Sequence, residues 1–101
     1  MARILKEDAE RWLGRVPNEY AFWCCDGRTI HDMAELAESL QQMEESIFDH
    51  HSNKQRKDFS NWVRDVIGDQ KLARDLMKAG TLNQAARAVN QRVQFLQIKI
   101  S

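Results

Sequence analysis

The sequence predicts a mainly α-helical fold, a compact bundle of about six helices with one short two-stranded β-hairpin near residues 20–30. Three observations carry that expectation. Apolar residues recur at steps of three and four along most of the chain, capping residues and glycines punctuate these stretches, and one aromatic run without helical spacing ends in Asp26-Gly27. A single domain covers residues 1–101, because a chain of this length has no room for a second core. Leu, Ile, Val and Phe supply 23 of the 101 residues, enough apolar surface for a folded globule.

The elements follow in order. Leu5, Ala9, Trp12, Leu13 and Val16 share one face of a first helix that should stop near Gly14, with Pro17 just beyond it. Tyr20 to Cys25 reads as a strand, Asp26-Gly27 as a two-residue turn, and Arg28-Thr29-Ile30 as the return strand. Two strands are marginal alone, so helices must cover one face. Asp32 caps the second helix and forms a capping box with Glu35; its buried stripe is Met33, Leu36, Ala37, Leu40 and Met43. Ile47, Phe48 and His51 mark a short third helix. Phe59, Trp62, Val63, Val66 and Ile67 give the clearest amphipathic pattern, with Gly68 as terminator and Trp62 as the expected central side chain. Asp69 caps a fifth helix carrying Leu72, Ala73, Leu76 and Met77, which Gly80 closes. Thr81 and Gln84 form a second capping box, opening a last helix that meets no Gly or Pro before the C-terminus. Its Leu82, Ala86, Val89, Val93, Leu96 and Ile100 step like a coiled-coil seam, but over fewer than three heptads and without a flanking charge code. Packing within the same chain is the default reading, and a dimer seam the alternative.

Charge is balanced overall, 15 basic against 15 acidic side chains, so no large field of one sign draws the whole molecule to nucleic acid or membrane. Its distribution is uneven. Residues 1–50 carry −6 (5 basic, 11 acidic) and residues 51–101 carry +6 (10 basic, 4 acidic). Six acids and no Lys or Arg lie between Thr29 and Asn53, and no acid follows Asp75. Either oppositely charged helices face each other within the chain, or the molecule meets a charged partner or a second copy. The longest unbroken apolar run is far below the roughly 20 residues that span a bilayer. No apolar stretch of signal-peptide length opens the chain, so the expected location is cytoplasmic. Two adjacent cysteines are too few for a disulfide framework and fit a reducing compartment.

Chemistry-bearing motifs are sparse. His31, His51 and a cysteine of the Cys24-Cys25 pair have the donor types of a transition-metal site, without CxxC, HxH or HExxH spacing. His51 reads better as a half-buried histidine bonded to a backbone group. A catalytic cysteine needs a base or helix N-terminus beside it, which the sequence does not place. Lys78, Arg87, Arg92 and Lys99 form an acid-free tail that a weak nucleic-acid-binding protein would use, yet GTLNQAARAV lacks the glycine turn of a helix-turn-helix.

Residues 22–73 carry the pattern of an aromatic strand, a DG turn at Asp26-Gly27, a capped EL helix at Asp32, Glu35 and Leu36, then Phe48, His51 and Asn53, and finally DFSNWVRDVIGDQKLA. In this it resembles a family of small, mostly archaeal domains of unknown function, departing from the family's pattern at Lys57. The resemblance implies an archaeal cytosolic source and brings no activity with it. Turn, cap and core roles explain most of the shared positions. His51, Asn53, Asp58, Asn61 and Asp65 are left as a candidate polar binding patch, or as braces for the neighbouring turn. Without a convergent acid, base and nucleophile, the expectation is a non-catalytic protein-interaction or regulatory module, able to self-associate, with no cofactor. Nucleic-acid binding and metal binding are the alternatives.

Overall fold

Three of the helix starts in this chain are set by side chains that cap the first turn. In the computed structural model, which describes residues 4–101, α1 spans Lys6–Leu13, α2 Met33–Gln42, α3 Glu45–His51, α4 Asp58–Trp62, α5 Gln70–Lys78 and α6 Leu82–Ile100. The side chains of Asp32, Asp69 and Thr81 accept hydrogen bonds from the amides of Glu35, Leu72 and Gln84. Each thereby satisfies a first-turn donor that no helix carbonyl can reach. The return half of each expected capping box lands one residue earlier. Glu35 takes the amide of His31 and Gln84 that of Gly80, both at 2.7 Å, so these long side chains fix the incoming chain instead of the cap itself.

The hairpin pairs β1 (Phe22–Trp23) with β2 (Thr29–Ile30), Phe22 opposite Ile30 and Trp23 opposite Thr29. Its loop differs from the two-residue turn that Asp26-Gly27 predicts. The Cys24 amide donates to the Arg28 carbonyl at 2.9 Å, which leaves Cys25-Asp26-Gly27 as a three-residue loop. A two-residue turn of the type favoured by Asp-Gly needs positive φ at both positions, whereas among the described residues only Gly27 (φ +95°) and Gly68 (φ +94°) adopt it. The Asp26 carboxylate accepts from the Arg28 amide at 3.0 Å, holding the loop in its observed form.

Phe59, Trp62, Val63 and Ile67 are buried as the amphipathic pattern requires, but the helix does not end as a plain α-helix. After α4 the chain widens into a π turn over Val63–Ile67, closed by a 2.7 Å bond from the Gly68 amide to the Val63 carbonyl. The wider turn leaves Val66 only half-buried. Gly68 is needed for its left-handed φ; a Cβ there would lie in ordinary van der Waals contact, 3.6 Å from the Trp12 indole nitrogen.

α1, α2 and α5 all pack against α6. Val89, Val93 and Leu96 of the stepped seam are buried in the chain's own core, together with Leu36 and Leu40 of α2. Phe59, rather than Trp62, is the largest fully buried side chain, with Phe22 and Phe48 stacked on it at centroid distances of 4.8 and 5.8 Å. Trp62 sits at the edge of this aromatic cluster because its indole N–H must find a partner, the Tyr20 carbonyl at 2.8 Å. Leu5 and Met77, expected in buried stripes, are about half exposed. The result is a compact, mainly helical globule of six helices and one two-stranded antiparallel sheet. Among the described residues, no helix is long and apolar enough to cross a membrane.

Candidate functional site

Two places bring chemically capable side chains together. The first is where the hairpin loop meets the end of α3. His51 is 4% exposed and lies against Phe22 and Phe59. Its Nε2 accepts the Cys25 amide at 3.0 Å, and its Nδ1 faces Asp58 Oδ2 at 2.9 Å. An ionised carboxylate only accepts, so Asp58 places the ring proton on Nδ1 and leaves the lone pair on Nε2 facing the cysteines. Arg56 Nη2 donates to the same Asp58 oxygen at 2.7 Å. One ligand atom each from Cys24, Cys25 and His51 lies within 4.8 Å of the others. The sequence did not show this because His51 is 26 residues from Cys25 and because strand alternation sends adjacent side chains apart. Cys24 is indeed buried and Cys25 exposed, but Cys25 belongs to the loop, where alternation no longer applies. Burial, above all, pushes the Cys24 thiol up from its ordinary pKa, while the Arg28 amide and then the Cys24 thiol hold Asp26 below the usual carboxylate value.

The other predicted positions are divided. His31 is engaged elsewhere, with Asn18 Oδ1 at 2.7 Å from Nε2 and Glu35 Oε1 at 3.3 Å from Nδ1, and it is not part of the cysteine cluster. Asn53 braces its own turn, accepting from the amides of Gln55 and Arg56 and donating to the Asp49 carbonyl. Asp65 pairs with the adjacent Arg64, and Asn61 is exposed. The structure thus joins His51 to Asp58, with Asn53 shaping the loop between them.

The second place is a cleft of about 700 Å³ between α1, α5 and α6, whose walls include Trp12, Lys71, Arg74, Phe95 and Lys99. Arg92 forms its floor and is not an exposed cation. Its Nε and Nη2 donate to Asp69 at 2.7 and 2.9 Å, in a pair where Asp69 is 0% and Arg92 8% exposed. The same guanidinium lies 5.6 Å from the Trp12 ring and 5.4 Å from Phe95. Asp69 therefore does double duty, capping α5 and neutralising Arg92, a link between residues 23 apart that sequence spacing does not reveal.

Ion pairing elsewhere is local. Arg11 pairs with Asp8, Arg56 with Asp58, Arg64 with Asp65 and Lys71 with Asp75, while Arg15 reaches Asp32 and Glu35. Among the described residues, Glu38, Glu44, Glu45 and Asp49 have no basic partner, and neither Arg74, Lys78, Arg87 nor Lys99 has an acidic one. Among the described residues, each ion pair joins partners from the same half of the sequence.

No family model matches the chain, and neither a curated protein nor a solved structure does.

Proposed function

We propose that the protein is a non-catalytic interaction module that self-associates, the acidic surface of α2 and α3 in one copy meeting the basic, aromatic-walled cleft of another. The observation that carries this reading is the unspent charge. Glu38, Glu44, Glu45 and Asp49 are exposed at one end of the sequence dipole, and Arg74, Arg87 and Lys99 at the other, with no ion pairs between the two sets. Trp12 and Phe95 add the rigid apolar area that protein interfaces use as anchors. Two copies related by a twofold axis would make the contact twice. The stepped residues of α6 play no part in it, since Val89, Val93 and Leu96 are committed to the core.

Charge exchange tests the reading. A variant with Arg74→Glu and Lys99→Glu, and another with Glu38→Lys and Glu45→Lys, should each be monomeric alone. The first then carries an intact acidic surface and the second an intact cleft, and the reversed cleft of the first is opposite in charge to the reversed surface of the second, so both contacts are complementary in the mixture and it should form a heterodimer. Failure of the mixture to associate, with the wild type monomeric too, would leave a different acidic partner as the cleft's occupant. A salt-sensitive shift of single-stranded DNA by the wild type, lost in the cleft variant, would favour the nucleic-acid reading through Arg87, Lys78 and Lys99.

A further inference from the structure

We infer that Cys24, Cys25 and His51 are a binding site for a thiophilic d¹⁰ cation, Zn²⁺ in the first instance, with Asp58 positioning the histidine. The donors come from two elements, the hairpin end with its loop and the last residue of α3, and converge to within 4.8 Å. Two thiolates and an imidazole are the donor types such a cation prefers, and three protein ligands leave a fourth tetrahedral position for solvent or an exogenous group. Binding two thiolates sends two thiol protons to solvent and changes no oxidation state.

The environment of His51 is what separates this cluster from a chance meeting of side chains. Metal-bound histidines are characteristically held on their second nitrogen by a carboxylate, which fixes the tautomer and the ring plane. Here Asp58 Oδ2 sits 2.9 Å from Nδ1, Arg56 fixes Asp58 in turn, and Phe22 and Phe59 pack the ring edge-on. The nitrogen left over is the one that faces the cysteines. At present it accepts the Cys25 amide at 3.0 Å, and the single lone pair cannot serve both. Metal entry therefore requires the Cys25 amide to turn away, a movement within an exposed three-residue loop. It exchanges one hydrogen bond for a metal–nitrogen bond and two metal–sulfur bonds. Adjacent cysteines at a strand end can reach one ion because Cys25 has left the strand and its side chain is not held on the opposite face.

The experiment uses the reduced full-length protein, Zn²⁺ in competition with a chromogenic chelator of micromolar affinity, and Co²⁺ as a spectroscopic reporter. The expected result is one Zn²⁺ per chain, together with a thiolate-to-cobalt charge-transfer band in the near ultraviolet. Cys25→Ser alters an exposed side chain without a hydrogen-bonding role, so it should fold normally. It should nonetheless weaken Zn²⁺ binding by at least about 100-fold and reduce the charge-transfer band, since it deletes a ligand outright where loss of an outer-shell partner already costs about 10- to 100-fold. Asp58→Asn should weaken binding by that smaller factor, about 10- to 100-fold, and keep the band. Failure of the wild type to take Zn²⁺ from the chelator overturns the assignment. So does affinity unchanged in Cys25→Ser, which would mean that the metal sits on other groups such as the exposed His50.

Discussion

Replacing Arg92 by Met is the sharpest probe of how the fold is held. The substitution keeps an unbranched side chain of similar reach beneath Trp12 and Phe95, but leaves the Asp69 carboxylate, itself 0% exposed, without its two charge-assisted bonds. Removing one partner of a buried pair costs about 3 to 5 kcal/mol, because the charge left behind stays out of water. For a domain of this size each 1 kcal/mol lowers the melting temperature by about 4 to 8 °C, so a fall of about 12 to 40 °C is expected. The companion variant Asp69→Asn keeps a good cap for α5 and strands the guanidinium instead, with a loss of similar size. Combining Arg92→Met with Asp69→Asn removes both charges, and the double variant should be more stable than either single one. Calorimetry on the four proteins gives the answer directly. A drop of less than about 4 °C for Arg92→Met, or a double variant whose loss equals the sum of the singles, would refute the claim that this pair is desolvated and coupled.

Other expectations follow from the same geometry. Trp62→Ala should cost about 3 to 5 kcal/mol in urea unfolding through lost burial, and it also leaves the Tyr20 carbonyl without its indole donor. Gly68→Ala should cost about 1 to 2 kcal/mol from its left-handed backbone alone, read in the same assay; an unchanged midpoint would mean the π turn relaxes freely. Glu35 is held below the usual carboxylate range, first by the His31 amide and then by Arg15. A carboxylate with a depressed folded-state pKa contributes stability above its unfolded value of about 4.3, and that contribution is lost as the pH falls through the folded value. Glu35→Gln should therefore destabilise at pH 7 and have progressively less effect below about pH 4.3, as unfolding curves at several pH values would show.

Local signals made most of the architecture legible. The caps at Asp32, Asp69 and Thr81 are written in residue types strongly favoured at helix N-termini, and the α2 stripe from Met33 to Met43 is buried at each predicted position. Where sequence reading fell short, the cause was a choice between near-equal local alternatives or a contact between distant residues. Asp26-Gly27 serves a two- or three-residue loop, and the Asp26 bond to the Arg28 amide selects the longer one. The π turn after α4 differs from an α-helical turn by one hydrogen-bond step, which apolar spacing does not resolve. Arg92 reads as part of a basic tail until Asp69 is seen beneath it; its place beside Val93 of the buried seam was the available hint. Likewise, the donor types of a metal site were visible in the sequence, whereas the choice of His51 over His31 depends on how the hairpin folds back onto α3.

Self-association through unspent charge is the central functional claim, and solution mass measured by light scattering tests it most directly. At about 150 mM salt the Debye length is about 8 Å, and the protein should scatter as a dimer of about twice 11.8 kDa. At 1 M salt, where exposed charges are screened over about 3 Å, the mass should fall toward that of one chain. A monomer at every concentration and at both salt levels would contradict the account, as would a dimer indifferent to salt, which could not be held together by the α2–α3 acids and the basic cleft.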